Sequence, residues 1–280
     1  MTMLVDLIVL LGMLVVLPLG LGLLDGPAAR LARRWPLLAA PGAVCLWLPR
    51  GPLATALAAC YAAATALLAV LALRRAAALR RAAGPADLCR ELAAVTALAA
   101  PSVAGLALVA ERSGHRLLGF DLDILALTVP HFHFAGFTAA LVAGLVCRAA
   151  PDLAAARWAA LSVPAGTLLV LAGYFVDDWA ELLGALVLTA GMWLVGLTCW
   201  RDLRHRAPDR LTAALLATSS AVLAATMLLA LWWAAGEAAD LPHPTLTWMA
   251  ATHGLGNALG FALCAVLAWR RLAHRPETQR

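Results

Sequence analysis

The chain has 280 residues, 63% of them hydrophobic and 13% charged, a balance that no water-soluble core accommodates and that a polytopic membrane protein requires. Its net charge of +5 comes from 21 basic residues that are all arginine, set in short clusters between apolar runs, so membrane topology rather than nucleic acid accounts for them. Six cysteines without CxxC spacing, five of them inside apolar runs, argue against a disulfide framework and a zinc cage.

Apolar runs near the ~20 residues that cross a bilayer occupy residues 3–24, 53–73, 92–111, 120–147, 157–175, 180–200, 211–235 and 246–269, with a shorter run at Pro36–Pro49. The arginines follow the first run rather than precede it, which predicts a spanning helix there and not a cleaved signal. If Pro36–Pro49 also crosses, Arg50, Arg112 and Arg116 stand on one side and the other 18 of the 21 arginines on the opposite one. The positive-inside rule then predicts an all-α, polytopic transmembrane helix bundle of about nine spans, or eight if that run re-enters. The N-terminus is expected outside and the C-terminus in the cytoplasm, with residues 1–280 forming one integral membrane domain, multi-pass in the cell membrane. Trp35, Trp158, Trp200, Trp248 and Trp269 fall at run ends and read as interfacial anchors.

Polar residues inside the apolar runs mark where function is expected, because an ionisable group at membrane depth must be paired or face a cavity. The fourth long run carries His131-Phe132-His133, and the last carries Thr252-His253-Gly254, each followed by small residues and a Phe. The two segments are expected to face each other across a shared polar pocket. Residues i and i+2 of a regular helix diverge by about 200°, so His131 and His133 do not both reach one ligand unless the helix is distorted, as Pro130 permits. Asp123 lies on the stripe of His131 at i, i+4, i+8. His253 and Asn257 share a face at i, i+4, where Asn257 orients the imidazole or binds the same group. Gly256 and Gly260 provide the GxxxG spacing that lets another helix approach closely.

Asp177-Asp178-Trp179-Ala180-Glu181 lies at a turn without arginine. Its acids resemble a Mg²⁺-diphosphate cluster only loosely. Glu181, opening a span beside Trp179, is the better proton donor.

The segments His131–Phe137 and Thr252–Phe261, with Pro18–Leu21 of the first run, resemble the YndJ-like family of bacterial integral membrane proteins. The matching residues are His131, His133, Ala135, Gly136, Phe137, His253, Gly254, Asn257 and Gly260. The resemblance implies a bacterial inner-membrane protein and brings no settled chemistry with it.

The residues themselves point to a membrane-embedded enzyme that works on a lipophilic small molecule by acid/base chemistry, with protonation-initiated isoprenoid cyclisation as the expected class. Glu181 or Asp178 is the expected acid and His131 or His253 the base, with His133, Asn257, Asp123, Trp179 and Phe137 binding substrate. No metal ligand set is assigned and no cofactor is required, Mg²⁺ and haem being the secondary candidates. The bilayer is the other expected partner, with neither nucleic acid nor a protein partner indicated. The alternatives are a small-molecule transporter with a His and carboxylate proton relay, and a haem- or metal-binding membrane protein.

Overall fold

The computed structural model describes residues 2–273, and among these there is helix and turn but no strand. Arg275 and Arg280, counted above with the cytoplasmic arginines, lie outside the described residues. Ten helices organise the chain: α1 (Met3–Leu21), α2 (Pro27–Ala32), α3 (Trp35–Cys45), α4 (Pro52–Ala76), α5 (Pro85–Ser113), α6 (Leu122–Ala149), α7 (Ala154–Gly173), α8 (Asp178–Arg206), α9 (Arg210–Ala239) and α10 (Leu246–Ala273). Eight of them are long and apolar enough to cross a membrane. The protein is therefore a multi-pass membrane protein with an all-α bundle. The expected ninth span is the 11-residue α3, which at 1.5 Å per residue covers only about 16 Å of the ~30 Å hydrocarbon layer.

The chain nevertheless changes ends across this short segment. The amide of Gly51, just before α4, donates to the Arg112 carbonyl at the end of α5 (3.1 Å). At the far end of α4, Arg74 lines a groove together with Arg30, Arg33 and Arg34. From Leu53 to Arg74 is about 31 Å of helix, so the stretch from Arg34 to Arg50 traverses the same depth as α4. The turn after Cys45 supplies the length that α3 lacks.

Two compact units are distinguished by their internal packing: residues up to Ala78 together with Ala94–Thr138, and Leu79–Ala93 together with the chain from Ala139 onward. In the first unit, α1 contains a π-helical turn at Gly12–Val16 in which the Leu17 amide donates to the Gly12 carbonyl. The Met13 carbonyl is thereby left over, since its ordinary helical donor Leu17 is spent and the next candidate, Pro18, has no N–H. The Trp35 indole Nε1–H fills this vacancy at 3.0 Å. Trp35 is thus fully buried and is not the interfacial anchor that its position at a run end predicts. Trp269 is buried as well, whereas Trp158, Trp200 and Trp248 are exposed.

At the other end of α3, Glu111 is 2% exposed and pairs with Arg50 (2.9 Å) and, through its second oxygen, with Arg112. Asp6 of α1 feels the charges of Arg112 and Glu111. Removing one partner from a buried ion pair strands the other. Glu111→Gln is therefore expected to lower unfolding free energy by on the order of 3 kcal/mol in a denaturing-detergent titration. Arg50→Gln, at a 46% exposed position, leaves Glu111 still paired with Arg112 and is expected to cost less than about 1 kcal/mol. Equal losses for the two variants would refute the ion-pair reading.

The second unit is built on α7 and α8, an antiparallel pair with glycines seven residues apart on each helix. A Cβ at Gly166 would lie 2.4 Å from the Leu188 nitrogen, at Gly173 2.5 Å from Glu181, at Gly184 2.4 Å from the Val170 nitrogen, and at Gly191 within 3.0 Å of Val163. All four contacts belong to one register, and the seven-residue period is that of a left-handed helix pair. Helix α9 packs on α10 through the expected GxxxG, with Gly260 against Val222 and Gly256 against Thr226. Asp209 caps α9 by accepting from the Thr212 amide (2.9 Å), and Arg271 of α10 donates to the same carboxylate (3.1 Å). The cap amide first, then the Thr212 hydroxyl and Arg271, hold the Asp209 carboxyl below its usual range.

Candidate functional site

The first unit holds the HxH segment. Its helix is distorted as the proline suggests, with a π-helical turn over Phe132–Thr138 in which the Thr138 hydroxyl donates to the His133 carbonyl (2.9 Å). The two histidines take different environments. His131 is half-buried with Phe132 edge-on to its ring at 5.6 Å. His133 is fully buried, with Nε2 2.5 Å from the Tyr61 hydroxyl. Its Nδ1 has no hydrogen-bond partner and lies against the backbone of Gly12, where a Cβ would sit 3.0 Å away. Trp35 packs edge-on to Tyr61 at 6.3 Å and Tyr61 edge-on to His133 at 6.0 Å, so an unbroken buried row of rings leads from the Met13 carbonyl to the histidine. Gly42 admits Tyr61 to this row, because a Cβ there would lie 2.6 Å from that of Tyr61. Phe137 is buried beyond His133, while Asp123 is exposed in the first turn of α6.

The sequence reading does not single out Tyr61, and it places Trp35 at the interface rather than in this buried row. Trp35→Phe keeps most of the volume but orphans the Met13 carbonyl, which predicts a loss of about 1–3 kcal/mol in detergent unfolding. A Phe variant as stable as wild type would show that the indole N–H is dispensable.

The second unit holds the remaining predicted residues, in two groups. In the first, His253 and Asn257 occur as their i, i+4 spacing suggests. His253 Nδ1 donates to the Thr226 carbonyl (2.8 Å), and the Asn257 amide donates to Nε2 (3.0 Å). The Thr226 hydroxyl in turn donates to the Asn257 side-chain oxygen (2.7 Å). A carbonyl only accepts, so this circuit fixes the neutral tautomer with the proton on Nδ1. Both ring nitrogens are engaged within the protein. Two π-helical stretches, Ala250–Gly254 and Gly256–Leu263, shape the helix here.

The second group lies where α8 begins and α9 ends. Asp177 caps α8 by accepting from the Ala180 amide (2.7 Å), and Asp178 and Trp179 are exposed. Glu181 is half-buried, its backbone seated on Gly173, and within electrostatic reach of Asp178 and Glu237. Glu237 pairs with His243 Nε2 at 3.0 Å. The Trp233 ring stands edge-on to His243 at 6.3 Å, and a Cβ at Gly236 would lie 2.3 Å from that of His243. Trp232 donates to the Pro242 carbonyl (3.0 Å) and meets Trp248 edge-on at 6.3 Å. Sequence reading passed over Glu237 and His243, although Pro242-His243-Pro244 in an arginine-free loop was the available signal.

Thus Glu181, Asp178, Trp179, His253 and Asn257 belong to one unit and His131, His133, Asp123 and Phe137 to the other. Among the described residues no three His, Cys, Asp or Glu side chains converge as a metal would require. No curated protein and no solved structure matches the chain. A family model does match, that of the YndJ-like protein, over residues 7–261. With nearly the whole chain and both histidine segments inside that match, the protein belongs to the YndJ-like family.

Proposed function

We propose that the protein is a membrane-embedded enzyme that isomerises a lipophilic substrate by acid/base chemistry, and that it works at the Glu181, Glu237 and His243 cluster. The observation that carries this reading is the 3.0 Å pair of Glu237 with His243 beside a half-buried Glu181, walled by Trp233. Of the two carboxyls, the one that does not pair with His243 serves as the proton donor. Glu181 is that donor. It protonates an alkene or epoxide of an isoprenoid, the indole faces stabilise the cation, and the Glu237 carboxylate removes the final proton, positioned by His243, whose Nδ1 is held on the Pro244 carbonyl (3.1 Å) and whose Nε2 pairs with Glu237. Proton gain and loss balance, so the net reaction is a cyclisation without a cofactor.

His253 contributes packing to this scheme, since Thr226 and Asn257 occupy both of its ring nitrogens. The reading assigns the protein to the bacterial inner membrane, with the N-terminus outside. Its support is the traverse between Arg34 and Arg50, which keeps the arginine clusters of the sequence on one side. The test is incubation of membranes containing wild type, Glu181→Gln or His243→Ala with prenylated quinols and their epoxides, followed by mass spectrometry of cyclised products. Product from wild type that both variants lose supports the proposal. No product from wild type, or equal product from all three, removes it.

A further inference from the structure

A groove of about 840 Å³ opens between α2 and the second half of α4, far along α4 from the Arg50 end. Its rim carries Arg30, Arg33, Arg34 and Arg74, and its wall carries Leu67, Val70 and Leu71. All four arginines are exposed, as are Leu67 at 50% and Val70 at 44%. Among the described residues no carboxylate pairs with any of the four. Four positive charges so close together repel one another unless an anion sits among them.

The vertical arrangement identifies the anion. Arg74 lies about 31 Å along α4 from Leu53, one hydrocarbon thickness, so the guanidinium groups stand at the headgroup level. Val70 and Leu67 lie about 6 and 10 Å deeper, where acyl chains begin. A soluble anion would use the arginines and leave the apolar wall bare. We propose that this groove seats an anionic phospholipid, its phosphate held by Arg30, Arg33, Arg34 and Arg74 and its first acyl methylenes laid along Leu67, Val70 and Leu71. The arginines supply the bidentate geometry that a phosphate diester accepts, and basic pockets beside spanning helices are suited to such headgroups.

The experiment uses full-length, delipidated protein in neutral detergent. It compares thermal midpoints on adding phosphatidylglycerol, phosphatidylcholine or inorganic phosphate, for wild type, Arg30→Gln/Arg74→Gln and Arg201→Gln/Arg210→Gln. The last pair removes the same charge from exposed positions outside the groove. Phosphatidylglycerol is expected to stabilise wild type and the Arg201/Arg210 variant saturably, and the groove variant with an apparent affinity weaker by roughly fivefold per arginine removed. Phosphatidylcholine and inorganic phosphate are expected to give little shift. Equal loss in both double variants, no selectivity for the anionic lipid, or an equal shift with inorganic phosphate would each overturn the proposal. The readout is independent of any enzymatic turnover, so it stands or falls apart from the acid/base reading.

Discussion

Glu181→Gln is expected to lower turnover of an isoprenoid substrate by about 10²- to 10⁴-fold, the usual contribution of a positioned general acid, while leaving folding intact. The amide keeps the size of the side chain and its place above Gly173, but it has no proton to give. His243→Ala is expected to fall in the same range. The double variant is expected to lose little more than either single one, because the two residues act on one proton cycle and their effects do not add. Asp178→Asn makes a sharp contrast. Asp178 is exposed in the first turn of α8, so its loss is expected to change turnover by only a few-fold. Kinetics on membranes reconstituted with each variant decide the matter. An Asp178→Asn loss equal to that of Glu181→Gln would mean that general negative charge at this end matters and that no single acid is positioned.

Some of this arrangement is written locally in the sequence and some is not, and the division is physical. His253 and Asn257 are legible because helix geometry alone brings i and i+4 together. Their closing partner, Thr226, is 27 residues from His253, and no local pattern names it. The same holds for Tyr61, which meets His133 across 72 residues and looks in the sequence like an isolated aromatic in an alanine-rich run. Trp35 departs from its sequence pattern for a different reason. Its place at the end of an apolar run follows the pattern of an anchor, but the carbonyl that claims it exists only because a π-helical turn and Pro18 together leave Met13 without a donor. The length of α3 shows how counting hydrophobic residues falls short, since the chain crosses from Arg34 to Arg50 on one short helix plus a turn. His243 was hidden by the opposite bias: loops between spans are expected to be polar, so a polar loop residue attracts no notice. The Gly166, Gly173, Gly184 and Gly191 spacing was fully present in the sequence, yet each pair of sevens belongs to a different helix and becomes meaningful only when the helices are set antiparallel.

That glycine register leads to the largest expected effect on the fold. Gly166→Ala and Gly184→Ala are each expected to destabilise the protein by about 3 kcal/mol or more, and Gly184→Leu to prevent recovery of folded protein altogether. In a bilayer the lipid chains are as apolar as leucine, so helices are not driven together by water. Close backbone approach and van der Waals contact carry the association instead. At both positions an added methyl would meet backbone nitrogen 2.4 Å away, and backbone cannot swing aside as a side chain can. The helices must separate, and the whole register loses contact with them. Gly196→Ala is the control on the same helix, since its nearest neighbours are 3.5 Å or more from a Cβ; it is expected to change stability by less than about 1 kcal/mol. Thermal and denaturing-detergent midpoints of the purified variants measure the difference, and a Gly166→Ala protein as stable as Gly196→Ala would show that α7 and α8 do not approach this closely. Gly173→Ala then joins packing to chemistry. Its methyl would press on the backbone of Glu181 at 2.5 Å, shifting the proposed acid relative to Glu237 and His243. Misplacement by about 1 Å is enough to cost roughly 10²-fold in rate, so this variant is expected to lose turnover out of proportion to its loss of stability.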